Sequence, residues 1–309
     1  MKVLLFTHKN DIDGMGNAIL AKLAFDTVEY ILCGTFDLKQ KVKEYITSGK
    51  IYEYEKVFIT DLCLDEETLK EIDEDGNLKE KFQIIDHHKT YAEERYTKYP
   101  FVKVQLKNDK GLCCGTSLFY EYLVENNFLV QKNIIEEFVE LTRQHDTWEW
   151  KNVYNNEKAR ELAILFDALG TEGYINFMYK KLKTEQEFIF NDVENLLINN
   201  KKIQIDDAIK EYLNNIHYRE ILGLKAAIIF IDYQFRNEIA EYLRENKYDI
   251  DFVMMVSIDR NVISYRSVKP NVSVRKVAEY FGGKGHEVAA TNPIFQSIKE
   301  EIINVLIKK

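Results

Sequence analysis

With 309 residues, 46% of them apolar, the chain is long enough for two domains with cores of their own. A net charge of −9 with no visible basic stripe argues against holding long nucleic acid, and no stretch approaches the ~20 uncharged apolar residues of a membrane span. The four cysteines, Cys33, Cys63, Cys113 and Cys114, contain no Cys-x-x-Cys pair, which argues against zinc ribbons and disulfide frameworks and suits a reducing compartment.

Val3 to Phe6 reads as a first strand that runs into the polar stretch His8 to Asp13. The apolar run from Met1 to Phe6 is too short for a signal peptide, so the expectation is a cytoplasmic protein. Met15 to Phe25 and Leu38 to Ile46 read as helices. Val57 to Thr60 reads as a second strand ending at Asp61, and Asp65 as the N-cap of a helix that begins Glu66-Glu67-Thr68. Lys81 to Ile85 reads as a buried strand that ends in Asp86-His87-His88. Val102 to Leu106 suggests one more strand. Gly115-Thr116-Ser117 opens a helix through Leu123, and Asn133 to Arg143 carries apolar residues at helical spacing before His145-Asp146-Thr147-Trp148. Strands alternating with helices predict a parallel sheet covered on both faces.

From about Asn155 to Leu222 the strand signal vanishes and the pattern reads as a helical connector. Beyond it, Lys225 to Ile231, Asp251 to Ser257 and Val262 to Tyr265 read as strands, with helices over Phe235 to Arg244, Val274 to Phe281 and Ile298 to Ile307. The expected fold class is α/β. It comprises an N-terminal parallel-sheet domain over residues 1–155, a helical connector over 156–221 and a smaller α/β domain over 222–309, with the site in the cleft.

Three strands thus deliver Asp or His to one rim, and ligands of open α/β sheets bind just outside the carboxyl ends of the strands. Taken singly, Asp11 and Asp13 would serve a solvated turn and Asp61 a helix cap. Likewise His87 or His88 would be a satisfied buried imidazole, and Asp146 a polar helix end. Taken together they predict a metal site. Oxygen and nitrogen ligands without thiolate suit Mn²⁺, Mg²⁺ or Fe²⁺ better than structural Zn²⁺. Two ions held ~3.5–4 Å apart clamp a phosphate and generate a hydroxide nucleophile in many phosphatases and nucleases. Gly282-Gly283-Lys284-Gly285-His286 matches neither a dinucleotide fingerprint nor a Walker A loop. It reads either as an anion-approaching loop or as a helix C-cap followed by a tight turn.

These blocks carry a resemblance. The chain resembles the DHH/DHHA1 phosphoesterase superfamily, and within it the nanoRNase, or oligoribonuclease, branch. The blocks are Thr7 to Gly14, Asp61, Asp86-His87-His88, Gly115-Thr116-Ser117 and Asp146, then Tyr265-Arg266-Ser267 and Gly282 to Ala290. Lys284 and Thr291 depart from the glycines common in relatives. The resemblance implies one ion held by His8, Asp11 and Asp61, and a second held by Asp13, Asp61, His87 and Asp146, with Asp61 bridging. It implies that His88 contacts the phosphate or steadies the site, and that Arg266, Ser267, Gly283, Lys284, Gly285 and His286 hold a terminal phosphate or the nucleotide.

The expected function is metal-dependent hydrolysis of very short oligoribonucleotides to nucleoside monophosphates by a bridging hydroxide. Two divalent ions are expected, Mn²⁺ first, with Mg²⁺ or Fe²⁺ as alternatives. The enzymatic alternatives are a cyclic nucleotide or cyclic dinucleotide phosphodiesterase and a 3′-phosphoadenosine 5′-phosphate phosphatase. The non-enzymatic alternative is a nucleotide-binding sensor, against which the bridging carboxylate argues. The expected partners are short oligoribonucleotides or small nucleotides, with no long duplex nucleic acid, no membrane, and a homodimer left open.

Overall fold

The computed structural model describes every residue except Asn10, Phe36, His286, Lys308 and Lys309, and leaves aside the side chains of Gln296, Ser297, Lys299, Ile302 and Leu306. The chain divides into two units, Met1–Lys201 and Lys202–Lys309.

In the first unit, β1 (Lys2–His8), β2 (Thr27–Cys33), β3 (Lys56–Thr60), β4 (Phe82–Asp86) and β5 (Val102–Val104) form one sheet in the order β2-β1-β3-β4-β5. Every pairing is parallel. Apolar side chains therefore face both sides of the central strands, as a sheet buried on both faces demands. Leu4, Phe6, Ile59 and Ile84 pack towards α2 (Leu38–Thr47) and α3 (Glu66–Glu74), which contribute Leu38, Val42, Leu69 and Ile72. On the other face α1 (Ile12–Ala24) packs against α6 (Gly115–Glu125), α7 (Asn133–Asp146) and α9 (Glu157–Thr184). There the Phe58 ring meets Phe25 at 5.6 Å and Phe119 at 5.2 Å. The short helices α4 (Gly76–Lys81), α5 (Glu94–Thr97) and α8 (Glu149–Asn152) and the hairpin of β6 (Lys107–Asn108) and β7 (Gly111–Leu112) fill the connections. The helix α9 is broken at Gly170, and the unit boundary falls within α10 (Asp192–Leu213).

The second unit is a mixed sheet of six strands. They are β8 (His217–Ile221), β9 (Leu224–Phe230), β10 (Phe252–Ser257), β11 (Val262–Ser267), β12 (Lys284–Gly285) and β13 (Ala289–Pro293), in the order β12-β13-β11-β10-β9-β8. The pairing of β9 with β10 is parallel and the rest are antiparallel. Its helices are α11 (Arg236–Glu245), α12 (Val274–Tyr280) and α13 (Gln296–Ile307). Among the described residues no helix is long and apolar enough to cross a membrane.

Several local readings change. The strand β2 was not expected: it is a half-exposed edge, and Glu29 interrupts its apolar run. That carboxylate is taken up by the hydroxyls of Tyr45 and Tyr54 and by Lys50 at 3.2 Å. The strand β8 lies in the stretch read as free of strands, because it is an exposed polar edge. It pairs through a two-residue turn in which Leu222 (φ 53°) and Gly223 (φ 75°) are both left-handed, the conformation that matches strand twist in a hairpin. The helix α1 starts at Ile12 rather than Met15, which moves Asp13 into its first turn.

Candidate metal centre

Strand order makes the gap between β1 and β3 the point where the connections reverse direction, the position where open α/β sheets bind ligands. His8 ends β1, and Asp61 follows β3 directly. Asp11 is the N-cap of α1: its Oδ1 accepts the Gly14 amide at 2.9 Å, and its Oδ2 lies 2.6 Å from His8 Nδ1. The capping role therefore coexists with a place in the cluster. Asp13 is fully buried, and its carboxylate accepts the Gly115 amide at 2.7 Å and the Thr116 amide at 2.6 Å. These are the unpaired amides at the N-terminus of α6, which favour an anion there. This close approach requires glycine, because a Cβ on Gly115 would fall 2.6 Å from Asp61 Cβ and 2.9 Å from Asp13 Oδ2. A Cβ on Gly14 would strike the His8 carbonyl at 2.0 Å.

Asp61 stands in the left-handed region (φ 57°), with its amide bonded to the Ile85 carbonyl at 3.0 Å. Aspartate tolerates that conformation better than most side chains. Its Oδ1 lies 3.1 Å from His87 Nε2 and its Oδ2 3.7 Å from His8 Nδ1. The two oxygens of one buried carboxylate thus face two different imidazoles, the posture of a bridging ligand. His87 Nε2 is also 3.7 Å from Asp13 Oδ2 and 3.8 Å from Asp146 Oδ2. Asp86 points its Oδ1 at the His87 amide (2.9 Å) and at His88 Nδ1 (2.8 Å), while its buried Oδ2 has no partner among the described residues.

Three sets of potential ligand atoms result, each lying within 4.8 Å of one another: His8, Asp11 and Asp61; Asp13, His87 and Asp146; and Asp61, Asp86, His87 and His88. Burial pushes the Asp61 and Asp146 carboxyls well above the usual carboxylate range, and the neighbouring carboxylates of Asp13 and Asp11 push them further. For His88 burial opposes the charge, but the bond to Asp86 and the fields of Asp146 and Asp13 outweigh it and raise the imidazole to about 9. Crowded carboxylates with oxygen and nitrogen donors fit a hard or borderline divalent cation, since such an ion reverses the local charge balance. Cys114 caps α6 through its sulfur at 3.4 Å from the Ser117 amide, and burial raises its thiol pKa; it does not belong to any of the ligand sets.

The predicted substrate residues lie in the second unit. Arg266, on β11, donates to the Tyr265 carbonyl at 3.0 Å and to Asn237 Oδ1 at 3.2 Å. Two arginines that sequence reasoning missed stand near it. Arg236 lies 3.9 Å over the Tyr233 ring and donates to the Tyr233 carbonyl, and Arg244 donates to the Ser267 carbonyl at 2.9 Å. Burial and the charges of Arg236 and Arg244 push the Arg266 guanidinium down to about 10. Among the described residues these three guanidiniums bond carbonyl and amide oxygens and no carboxylate. No sequence signal marked Arg236 or Arg244, because the packing of α11 against β11 brings them there. Ser267 is buried beside Arg266. The glycine stretch begins as a helix C-cap: Gly282 is left-handed (φ 75°), and the Gly283 amide donates to the Ala278 carbonyl at 2.7 Å. Lys284 and Gly285 then form β12 against β13. His286 lies outside the described residues.

Comparison with known proteins bears on the family and the fold. The family model described as the N-terminal domain of the DHH family matches residues 2–143. The oligoribonuclease NrnB of Bacillus subtilis is 30% identical over 302 residues, covering 96% of this chain and 74% of that protein. A structure of the exonuclease RecJ bound to manganese aligns over 98% of this chain and 88% of its own, with a TM-score of 0.58 at 15% identity. The pGpG-specific phosphodiesterase PggH of Vibrio cholerae aligns over 99% and 98%, with a TM-score of 0.56 at 13% identity. At those identities the structural likenesses speak to the fold. The relative that spans nearly the whole chain, together with the matched N-terminal domain, makes this protein a member of the DHH phosphoesterase family.

Proposed function

We propose that the chain hydrolyses the phosphodiester linkages of very short oligoribonucleotides, releasing nucleoside monophosphates. The observation that carries this reading is the bridging posture of Asp61, whose two oxygens face His87 and His8 within a ring formed with Asp11, Asp13 and Asp146. Binding alone does not need a carboxylate shared between two cation sites, whereas two-metal phosphoester hydrolysis uses one. The similarity to an oligoribonuclease over nearly the whole chain supports the same class of substrate.

His8, Asp11 and Asp61 would hold one divalent ion, and Asp13, Asp61, His87 and Asp146 a second, with Mn²⁺ the first candidate. Such ions supply a clamp for phosphoryl oxygens and a lowered pKa for water. The chain's own residues do the rest. The α6 amides orient Asp13, and Asp86 fixes the His88 ring by accepting from Nδ1. That leaves Nε2 of His88 as the proton-bearing nitrogen for a phosphoryl oxygen, a charge-assisted hydrogen bond. In the second unit, Arg266 with Ser267 and the loop Gly283 to His286 would hold a terminal phosphate. A guanidinium offers a planar fork suited to that group.

The test is pure protein with and without Mn²⁺ on a panel of dinucleotides, cyclic nucleotides, cyclic dinucleotides and 3′-phosphoadenosine 5′-phosphate. Metal-dependent release of nucleoside monophosphates from dinucleotides is expected to be the fastest reaction. Turnover confined to the cyclic or bisphosphate compounds would replace this reading, and nucleotide binding without any turnover would make the chain a sensor.

A further inference from the structure

A second feature of the first unit lies beside the candidate metal centre. Where α7 ends at Asp146, the chain makes a tight turn and Trp148 adopts a left-handed backbone (φ 61°, ψ 9°). The Trp148 amide donates to the His145 carbonyl at 3.1 Å, and its carbonyl accepts from Lys151 at 3.3 Å and Asn152 at 3.2 Å. Among the described residues with positive φ other than glycine, three are asparagines, one is Asp61, and Trp148, Leu222 and Lys247 are larger; Trp148 is the one aromatic residue. Glycine suits this conformation, asparagine and aspartate tolerate it, and a bulky side chain adopts it at a cost. The turn itself thus gives no reason for tryptophan.

The core gives none either. Trp150 is buried (4% exposed), whereas Trp148 stays 42% exposed, its ring 6.4 Å from that of Trp150. Strained backbone of this kind clusters where a side chain must be presented. The presentation point is close to the chemistry: Trp148 is two residues beyond Asp146, so their Cα atoms are at most roughly 7 Å apart. We propose that Trp148 is a stacking platform for a nucleobase of the substrate, set beside the linkage that is cut. The inference rests on the oligoribonucleotide reading above. It makes Trp148 a residue that favours a nucleobase of any identity over an abasic substrate, because every base offers a π-face to an indole.

The backbone argument supplies a test that separates binding from folding. Trp148→Gly relieves the left-handed strain while losing the ring's contact with Trp150, so its melting temperature should stay within a few degrees of the parent's. Its KM for the dinucleotide pApA should rise about tenfold or more with kcat little changed, and this rise should exceed by about tenfold any change for an abasic dinucleotide. Trp148→Phe should recover most of the affinity. Tryptophan emission offers a readout independent of turnover, since the chain has only two tryptophans. Adding AMP should quench the parent and leave Trp148→Phe nearly unquenched. An unquenched parent overturns the proposal, as does a Trp148→Gly variant that melts several degrees lower with kcat and KM moving together. Equal losses on pApA and its abasic counterpart also overturn it. A parent that cleaves no dinucleotide would instead sink the functional reading, and the quenching would still decide whether Trp148 stacks a base.

Discussion

The two units carry opposite electrostatic imbalances. At the rim of the first, Asp11, Asp13, Asp61, Asp86 and Asp146 converge around three imidazoles, and burial with mutual repulsion raises Asp61 and Asp146 far above their usual range. In the second, Arg236 at Tyr233 and Arg244 at the Ser267 carbonyl stand near Arg266, which bonds Asn237; none of the three bonds a carboxylate among the described residues, and Arg266 is pushed down to about 10. Elsewhere the chain pairs its buried charges: Lys181 meets Glu194 at 3.0 Å, and Arg143 meets Glu140 at 2.7 Å. An unpaired buried charge is costly. For the buried acids of the first unit a bound cation offsets that cost, whereas in the second unit Arg236 and Arg266 are half-buried and Arg244 is exposed, so solvent already meets part of theirs.

That contrast can be broken at several points. The largest expected effect is Asp61→Asn. Asparagine tolerates the left-handed backbone, so the fold should survive and melt within a few degrees of the parent, while turnover falls at least about a thousandfold. Activity within about tenfold of the parent, a barrier difference of ~1.4 kcal/mol, would refute a shared ligand. Next is Gly115→Ala, whose new Cβ would press on Asp61 and Asp13. Overpacking of this kind costs about 1–3 kcal/mol. The rise in melting temperature that Mn²⁺ should give the parent by binding the folded state should shrink in this variant. A full Mn²⁺ shift in Gly115→Ala would show that the geometry of Asp13 does not matter to the ions.

Smaller effects sharpen the second half of the contrast. Arg266→Ala should weaken kcat/KM for dinucleotides by about 1.5–3 kcal/mol, the range of a charged hydrogen bond, mainly through KM. An unchanged KM would remove Arg266 from the end-holding role. If one end of the substrate is held at a fixed distance from the ions, dimers to roughly five-mers should be cut much faster than 24-mers, which the −9 net charge further repels. A flat rate series from two to 24 nucleotides would exclude length selection. The smallest loss is expected for His8→Ala, because Asp11 and Asp61 remain; complete inactivity there would make His8 a principal ligand.

Much of this was legible in the chain, and for a physical reason. Each of Val3–Phe6, Val57–Thr60 and Ile84–Ile85 is an apolar run that stops at a polar residue, and a parallel strand buried on both faces is written as such a run. His8, Asp61 and Asp86 could therefore be assigned to one rim without coordinates. Asp13, His87 and His88 follow directly from those strand ends, and the family resemblance added Asp146; the structure brings all four together. Edge strands escaped. Because β2 and β8 bury one face at most, Glu29 in the first and the polar run His217 to Glu220 in the second hide the pattern.

Apolar runs that stop at polar residues, set between stretches of helical periodicity, thus determined the fold class and the rim of acids, since burial imposes a pattern that any reader of the chain can follow. Only the tertiary structure decided the rest. It holds Asp13 on the α6 amides contributed by Gly115 and Thr116, a pairing across more than a hundred residues. It turns Asp61 left-handed so that one carboxylate faces two imidazoles, and it gathers Arg236 and Arg244 around Arg266. It also exposes Trp148 on a strained turn while burying Trp150 two residues away. These depend on distances between segments remote in the chain and on backbone angles that no local pattern encodes.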